Sequence, residues 1–599
     1  MTEPFSSFPD TACKDAHPAD TIQRIKQILS SRGIETKEQW NESGVPFCHS
    51  VHIQITGTPF GTNGKGVSRE LALASGYGEL MERLQIGYLV KTDVQKAAPA
   101  EDIPGKETIM ELNALLSSGI FAQYTHIARQ ATGADLTEQV LLSQYADAQG
   151  TIPVTGYYSI ISQKDVFLPT ALRRSVYTTN GCAAGNTMEE AMVQAISEIV
   201  ERHYKSRILA EKIPLPDIEE QTLQNCPIAW QIIQFLQEND FRVSVKDCSL
   251  GGKFPVVCVC LVDQRTGRYH THFGAFPNFE IALQRTLTES FQGRNLSRIG
   301  QYEDFATDER ALRCLMNELV YGTAEKSPEF FRTSSQRTAP AGFQGTDNRS
   351  LLKECLAFLT EQGLDIWVRD CSCLGFPTCQ IIIPGYSEIF PHRLSPRHND
   401  IRYAPTARKV MLHPGSAHPD EQMGLLIHLA NSKSAGLGVG SFQGYANLSV
   451  ELSAREDAFL MNTTLAYVHY SLGKITDGLK AIQNAISVAV EQDAQYLICL
   501  KRYLTLLQQG RTPEEIRDIL SYFHRSVTIA QLFDLLEQKK NPLEPMVLSC
   551  SKECAPECRL VHQCRKHATD QIASLVSLKQ STLSQSSLKK LLQNLSFQQ

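Results

Sequence analysis

The chain has 599 residues, 42% hydrophobic and 20% charged, with 58 Lys and Arg against 64 Asp and Glu. It is long enough for several domains with a large core, its formal charge of −6 and lack of any run of five basic residues exclude broad nucleic-acid binding, and the absence of about 18 consecutive apolar residues excludes a membrane-spanning helix. No basic stretch followed by an apolar run opens the sequence, so the expected location is cytoplasmic, and the 17 cysteines, several in apolar runs such as Val256-Val257-Cys258-Val259-Cys260, read as buried reduced thiols.

In chain order, an amphipathic helix is predicted from about Asp20 to Arg32, then a strand at Val51-His52-Ile53-Gln54-Ile55, a glycine turn at Gly61–Gly66 and a helix. The layout repeats at Val176–Thr179, Asn180–Asn186 and a helix from Thr187 to about Ala210. A second duplication relates Val245–Ser249 and Phe254–Cys258 to Val368–Ser372 and Phe376–Cys379. Such repetition predicts one α/β domain with internal pseudo-symmetry over residues 1–405, closing with the polar loop Ser395–Asp400. Beyond it, helices at Glu456–Leu472, Ile475–Glu491 and Tyr496–Gln509 make residues 406–545 an all-helical region. There Ala466, Tyr470, Gly473 and Ala481 match part of a tetratricopeptide repeat, a pattern suited to packing or partner binding. Residues 546–599 carry a cysteine block and a Ser/Gln/Leu-rich tail in which one helix is predicted.

Three of the predicted helices carry polar residues at i, i+4 and i+7: Ser75, Glu79 and Glu82; Gln194, Glu198 and Glu201; Arg285, Glu289 and Gln292. These steps fall within about 60° on a helix, while Leu80, Leu84, Met192, Ile196 and Ile199 fill opposite faces. Like charges about 4 Å apart repel by about 4 kcal/mol at intermediate dielectric, so carboxylates converging in a core call for cations, and magnesium with a bound phosphate is the natural candidate. Arg83 and Arg202 follow the last glutamate of two stripes and Arg285 leads the third, which suits bidentate contact with phosphate oxygens. Intrahelical ion pairs such as Arg285 with Glu289 are the alternative. The segment around Lys65 is not a Walker motif, because Pro59 and Gly66 stand where Gly and Ser or Thr are needed, yet a lysine leaving a glycine turn before a helix can reach phosphate.

The ordered set Ser75, Glu79, Glu82, Arg83; Asn186, Glu190, Gln194, Glu198, Glu201, Arg202; Arg285, Glu289, Gln292 resembles the ATP-binding signature of the YcaO-domain family, over roughly residues 15–400. The resemblance implies helices packed on mostly antiparallel sheets. It implies magnesium at Glu79, Glu82, Glu198 and Glu201, and nucleotide contacts at Lys65, Ser75, Asn186, Glu190, Gln194, Arg202, Arg285 and Glu289. It further implies ATP-dependent activation of a backbone amide, in which a nucleophile adds to the carbonyl carbon, the oxygen is phosphorylated and phosphate leaves, giving azoline, thioamide or amidine. The helical region resembles the extension of stand-alone family members, which implies a homodimer and an accessory role to a radical methylthiotransferase in β-methylthiolation of a small-subunit ribosomal protein. The alternative is a non-catalytic ATP-binding scaffold or regulatory protein.

Two features depart from the family pattern. The chain ends Leu595-Ser596-Phe597-Gln598-Gln599, whereas azoline-forming members end in a proline-rich segment. Cys550, Cys554, Cys558 and Cys564, with His562 and His567 nearby, are candidate ligands for zinc or an iron–sulfur cluster; the alternative is free cysteines on a helix, and a metal-dependent sensor is the function such a site would suggest.

Overall fold

The computed structural model describes Cys13 to Leu595, except residues 59, 88–107, 134, 144, 147–149, 301, 308–313, 316, 320–321, 323, 338–341, 395–408, 435–441, 443–452 and 548–584. Cys550, Cys554, Cys558, Cys564, the two adjacent histidines and the loop 395–400 therefore lie outside the described residues. The chain divides into two compact units, residues 1–395 with 571–599, and residues 396–570.

The first unit holds three sheets. β1 (Thr36–Glu42), β2 (His49–Ile55) and β3 (Gly61–Gly66) form an antiparallel meander. A second sheet runs β4 (Thr108–Glu111), β5 (Thr151–Ser159), β13 (Trp367–Asp370), β14 (Thr378–Ile382) and β7 (Cys182–Ala184), with β6 (Asp165–Pro169) on β5. The third runs β11 (Tyr269–Ala275), β10 (Val256–Asp263), β9 (Phe241–Asp247), β8 (Leu215–Ile218) and β12 (Thr333–Arg337); only its β8–β12 pairing is parallel. The duplication read in the sequence is the pair of hairpins β9–β10 and β13–β14, one in each larger sheet.

Helices of this unit include α1 (Pro18–Ser30), α2 (Arg69–Gln85), α3 (Met188–Glu211), α4 (Pro227–Glu238), α5 (Phe279–Ser290) and α6 (Asn348–Thr360); α2 to α5 pack on the sheets, α1 on α2 and α6 on α3. Four of them start alike. Ser68, Thr187, Asn278 and Asp347 cap α2, α3, α5 and α6 by accepting a backbone N–H three residues on. Two residues before three of these caps stands a glycine, Gly66, Gly185 or Gly345, where an added Cβ would lie 2.6 Å from the amide of Ala72, Ala191 or Leu351. The repeated unit is thus a strand, a close glycine contact, a capped turn and a helix.

One expectation is corrected by this packing. Gly61–Gly66 is not a turn but strand β3, and the second copy of the layout has helix up to Val176 and a three-residue strand after Gly181 rather than a strand at Val176–Thr179. The glycines permit close approach: a Cβ on Gly64 would sit 2.0 Å from the Ala72 carbonyl oxygen and 2.5 Å from the Gly76 nitrogen. Gly64→Ala should therefore prise β3 from α2 and cost about 1–3 kcal/mol, read as a lowered urea midpoint.

The second unit contains α7 (Pro419–Ser434), α8 (Ala454–Ser471), α9 (Ile475–Val488), α10 (Glu491–Gln508), α11 (Pro513–Ser521) and α12 (Ser526–Glu537) around their own core, which includes Ala466, Ile482, Leu497 and Leu532. Capping boxes at Ser453 and Thr512 set two of the helix starts. The tail helix α13 (Gln585–Leu595) belongs to the first unit, where Leu588, Leu592 and Leu595 join the main core. Among the described residues no helix is long and apolar enough to cross a membrane.

Candidate active site

The stripes face one another across a cavity of about 610 Å³ in the first unit, lined by β3, α2, α3, α5 and the segment before α1. Burial shows why they are not solvated faces. Between Ala191 and Glu201 the only positions not buried are Gln194, Glu198 and Glu201, and between Ile281 and Ser290 only Arg285 and Glu289. On helices otherwise packed on all sides, these side chains reach only the cavity. All twelve predicted positions line it: Lys65, Ser75, Glu79, Glu82, Asn186, Glu190, Gln194, Glu198, Glu201, Arg202, Arg285 and Glu289.

The carboxylates are neutralised by neighbours. Arg83 donates to Glu82 (2.6 Å) and Glu79 (3.1 Å), Arg202 pairs with Glu198 (2.9 Å), and Lys205 with Glu201 (3.0 Å). So engaged, they do not converge on one point, and among the described residues no group of three His, Cys, Asp or Glu has ion-holding geometry. Glu190 is clamped at the mouth: Lys14 Nζ donates to it (3.3 Å), as do the amides of Asp15 (3.1 Å) and Asn186 (3.3 Å) and the Asn186 side chain (3.0 Å). Burial alone would raise its pKa, but Lys14 and these donors outweigh it and hold Glu190 below the usual carboxylate value. Asn186 is fixed in turn by Thr21, whose hydroxyl donates to its side-chain oxygen (2.8 Å).

On the third stripe, Glu289 pairs with Lys65 from β3 instead of with Arg285. Arg285 lies over the Phe276 ring (5.2 Å) and has no carboxylate partner among the described residues. The alternative of an Arg285–Glu289 pair is thus not realised, whereas α2 and α3 do contain i, i+4 pairs. Burial and the Arg285 charge lower Lys65 to about 8, and burial raises Glu82 to about 8, with Glu198 and Glu79 adding to the rise against Arg83. Glu198 is also raised, by burial first and then by Glu201 and Glu79 against its arginines.

Several lining residues were missed in the sequence. Lys205 could have been found, because it extends the stripe 194, 198, 201 by one more turn. Lys14, His272 and Glu318 could not, being distant in sequence and outside any repeating pattern, and Arg294, though only two residues past Gln292, lies off the stripe.

Residues 63–387 match the family described as YcaO cyclodehydratase, ATP- and Mg2+-binding. An uncharacterised protein of Haemophilus influenzae is 33% identical over 389 residues, 63% of this chain and 66% of that one. The ribosomal protein S12 methylthiotransferase accessory factor YcaO of Escherichia coli is 29% identical over 463 residues, 74% of this chain and 79% of that one. Solved structures with similarity include a heterocyclase in complex with substrate and cofactor (21% identity, TM-score 0.47, 63% of this chain and 53% of that one). Another is YcaO from Methanopyrus kandleri bound with AMPPCP and Mg2+ (17% identity, TM-score 0.40, 64% of this chain and 93% of that one). With more than half its length in that match, and with the stripes of that signature gathered round one cavity, this chain belongs to the YcaO family.

Proposed function

We propose that the protein binds ATP and magnesium in this cavity and activates a backbone amide of a peptide or protein. The observation that carries the reading is the convergence of twelve separately predicted side chains, from four parts of the sequence, on one cavity walled by otherwise buried helices. The donor set fits both groups. Glu79, Glu82, Glu198 and Glu201 are hard oxygen ligands, and Glu82 and Glu198 are raised by burial first and by neighbouring glutamates second, a cost of ionisation that a small divalent cation would relieve. Arg285 supplies a guanidinium without a carboxylate partner among the described residues, suited to an anion.

When bound, ATP supplies the phosphoryl group that makes an amide oxygen able to leave, and magnesium screens the phosphate charge. The chain's own residues bind and orient. Arg202 and Arg285 hold phosphate oxygens, and Lys65 is steered toward them by Glu289. Glu190 and Asn186, locked by Lys14 and Thr21, form a rigid rim that would hold the nucleotide.

By analogy with the named E. coli relative, the further proposal is an accessory role in β-methylthiolation of a ribosomal protein beside a radical methylthiotransferase. The tetratricopeptide-like helical unit would dock the partner, and the cytoplasmic protein would act as a homodimer. Cys550, Cys554, Cys558 and Cys564 remain candidates for zinc or an iron–sulfur cluster, which metal analysis of the purified chain tests.

Titrating ATP into the full-length protein by calorimetry, with and without magnesium, should give binding that needs the metal; no binding in either condition overturns the reading. Turnover is tested next, by phosphate release in the presence of ribosomal-protein peptides. Binding with no turnover under any such condition favours the non-catalytic scaffold.

A further inference from the structure

The cavity continues past the residues assigned above. Lys205 lies four residues beyond Glu201 on α3, about 6 Å further along the axis, and there the wall changes character. Arg294 lines this end; its recorded partner is the Ser290 carbonyl of the preceding turn, at 3.4 Å, and no carboxylate pairs with it among the described residues. His272, from β11, is 8% exposed, with Nε2 at 3.6 Å from Glu289 and Nδ1 without a hydrogen-bond partner. Behind it, with ring centroids 6.2 Å away, His270 is fully buried with neither nitrogen partnered. The carboxylates at this end are each already paired with a lysine, Glu318 with the buried Lys326 at 2.8 Å, Glu201 with Lys205 at 3.0 Å and Glu289 with Lys65, which leaves Arg294 as the unbalanced charge.

This end therefore holds more positive charge than its carboxylates balance. The imidazoles register it: burial first, then Arg294 and Lys326, bring His270 down to about 3, and burial with His270, Lys205 and Lys65 holds His272 well below the usual histidine value. Both rings are neutral and able to donate one hydrogen bond. A planar guanidinium, an ammonium and an imidazole lining one cavity offer donors suited to a tetrahedral oxyanion.

We propose that Arg294, Lys205 and His272 form a phosphate subsite at this end of the cavity. It deepens the ATP reading by giving the departing phosphoryl group a place beyond the magnesium carboxylates. Its occupant is either the terminal phosphate of the nucleotide or free inorganic phosphate.

The test uses inorganic phosphate as the probe, titrated by calorimetry into the full-length protein and its Arg294→Gln and Arg294→Lys variants, with AMP affinity and thermal unfolding measured alongside. The expected result is phosphate binding that weakens about tenfold or more in Arg294→Gln and is largely restored in Arg294→Lys, with AMP affinity unchanged. His272→Asn, which keeps a donor, serves as the second variant if Arg294→Gln does not fold, and a weakening of severalfold is expected there. Saturating ATP that blocks phosphate identifies the terminal phosphate as occupant; phosphate that still binds identifies the free ion. Wild-type protein that binds no phosphate, or equal affinity in wild type and the variants, overturns the subsite. Arg294-dependent phosphate binding without any AMP or ATP binding keeps the subsite and removes the nucleotide reading.

Discussion

Glu201→Gln is expected to abolish magnesium-dependent ATP binding while leaving the fold intact. In the structure the Glu201 carboxylate accepts from Lys205, which is 4% exposed, at 3.0 Å. Replacement by alanine would leave that ammonium buried and unpaired, at a cost of about 3–5 kcal/mol, and would confuse lost binding with lost stability. Glutamine keeps an acceptor for Lys205 and the same volume but removes the charge that a divalent cation needs. The expected loss is about 100-fold or more in ATP dissociation constant with magnesium present, roughly 3 kcal/mol, with the unfolding midpoint little changed. Glu198→Gln should behave likewise, because its carboxylate is shared with Arg202 in the same manner. Retained magnesium-dependent affinity in both variants would sink the ligand assignment.

The second large effect is a pH dependence centred on Glu82. Burial, with Glu198 and Glu79, raises this carboxyl from 4.5 to about 8. The folded state therefore holds the proton more tightly than the unfolded chain does. The stability so gained is complete below about pH 4.5 and is lost as pH rises to about 8, with a slope of up to about 1.4 kcal/mol per pH unit from this group. Glu82→Gln removes the titration, so the unfolding free energy of the variant minus that of the wild type should climb through this window and level off above it. Chemical denaturation at half-unit pH steps measures the difference; a flat difference would show that Glu82 is already ionised in the folded protein. Cation binding pulls the opposite way, because it requires the ionised carboxylate. Magnesium-dependent nucleotide affinity should rise between pH 6 and 8 in the wild type, with protons released on binding, as calorimetry in buffers of different ionisation enthalpy would report. The same carboxylates whose burial is costly are then those that make the cavity bind, a usual tension between stability and function.

Much of the chain is legible in the sequence because its signals are local. The helix at Thr187 starts with an N-cap whose hydroxyl accepts from the Glu190 amide, and the helices of residues 454–508 follow their apolar periodicity closely. The spacing of Gln194, Glu198 and Glu201, like that of Arg285 and Glu289, specifies one face of a helix, and a face is all that local periodicity can specify. That Gly61–Gly66 is a strand depended on Ala72 and Gly76 pressing against it, a contact made by another element, so turn chemistry read from three glycines gave the wrong local structure.

The sequence by itself therefore determined the striped helices and the order of the signature along the chain, since each stripe depends on residues within a turn or two of one another. Tertiary structure alone decided which carboxylate meets which cation. Lys65 reaches Glu289 across 224 positions, Lys14 reaches Glu190 across 176, and Arg285 turns to Phe276 and leaves its i, i+4 neighbour free for β3. It also decided that the cavity runs on to His272, Arg294 and Glu318, residues brought there by β11, by the turn after α5 and by the segment before β12. The physical reason is that charge pairing and burial are properties of the assembled space. A stripe fixes only the direction in which a side chain leaves its helix, and what waits in that direction is set by the packing of strands from elsewhere in the chain.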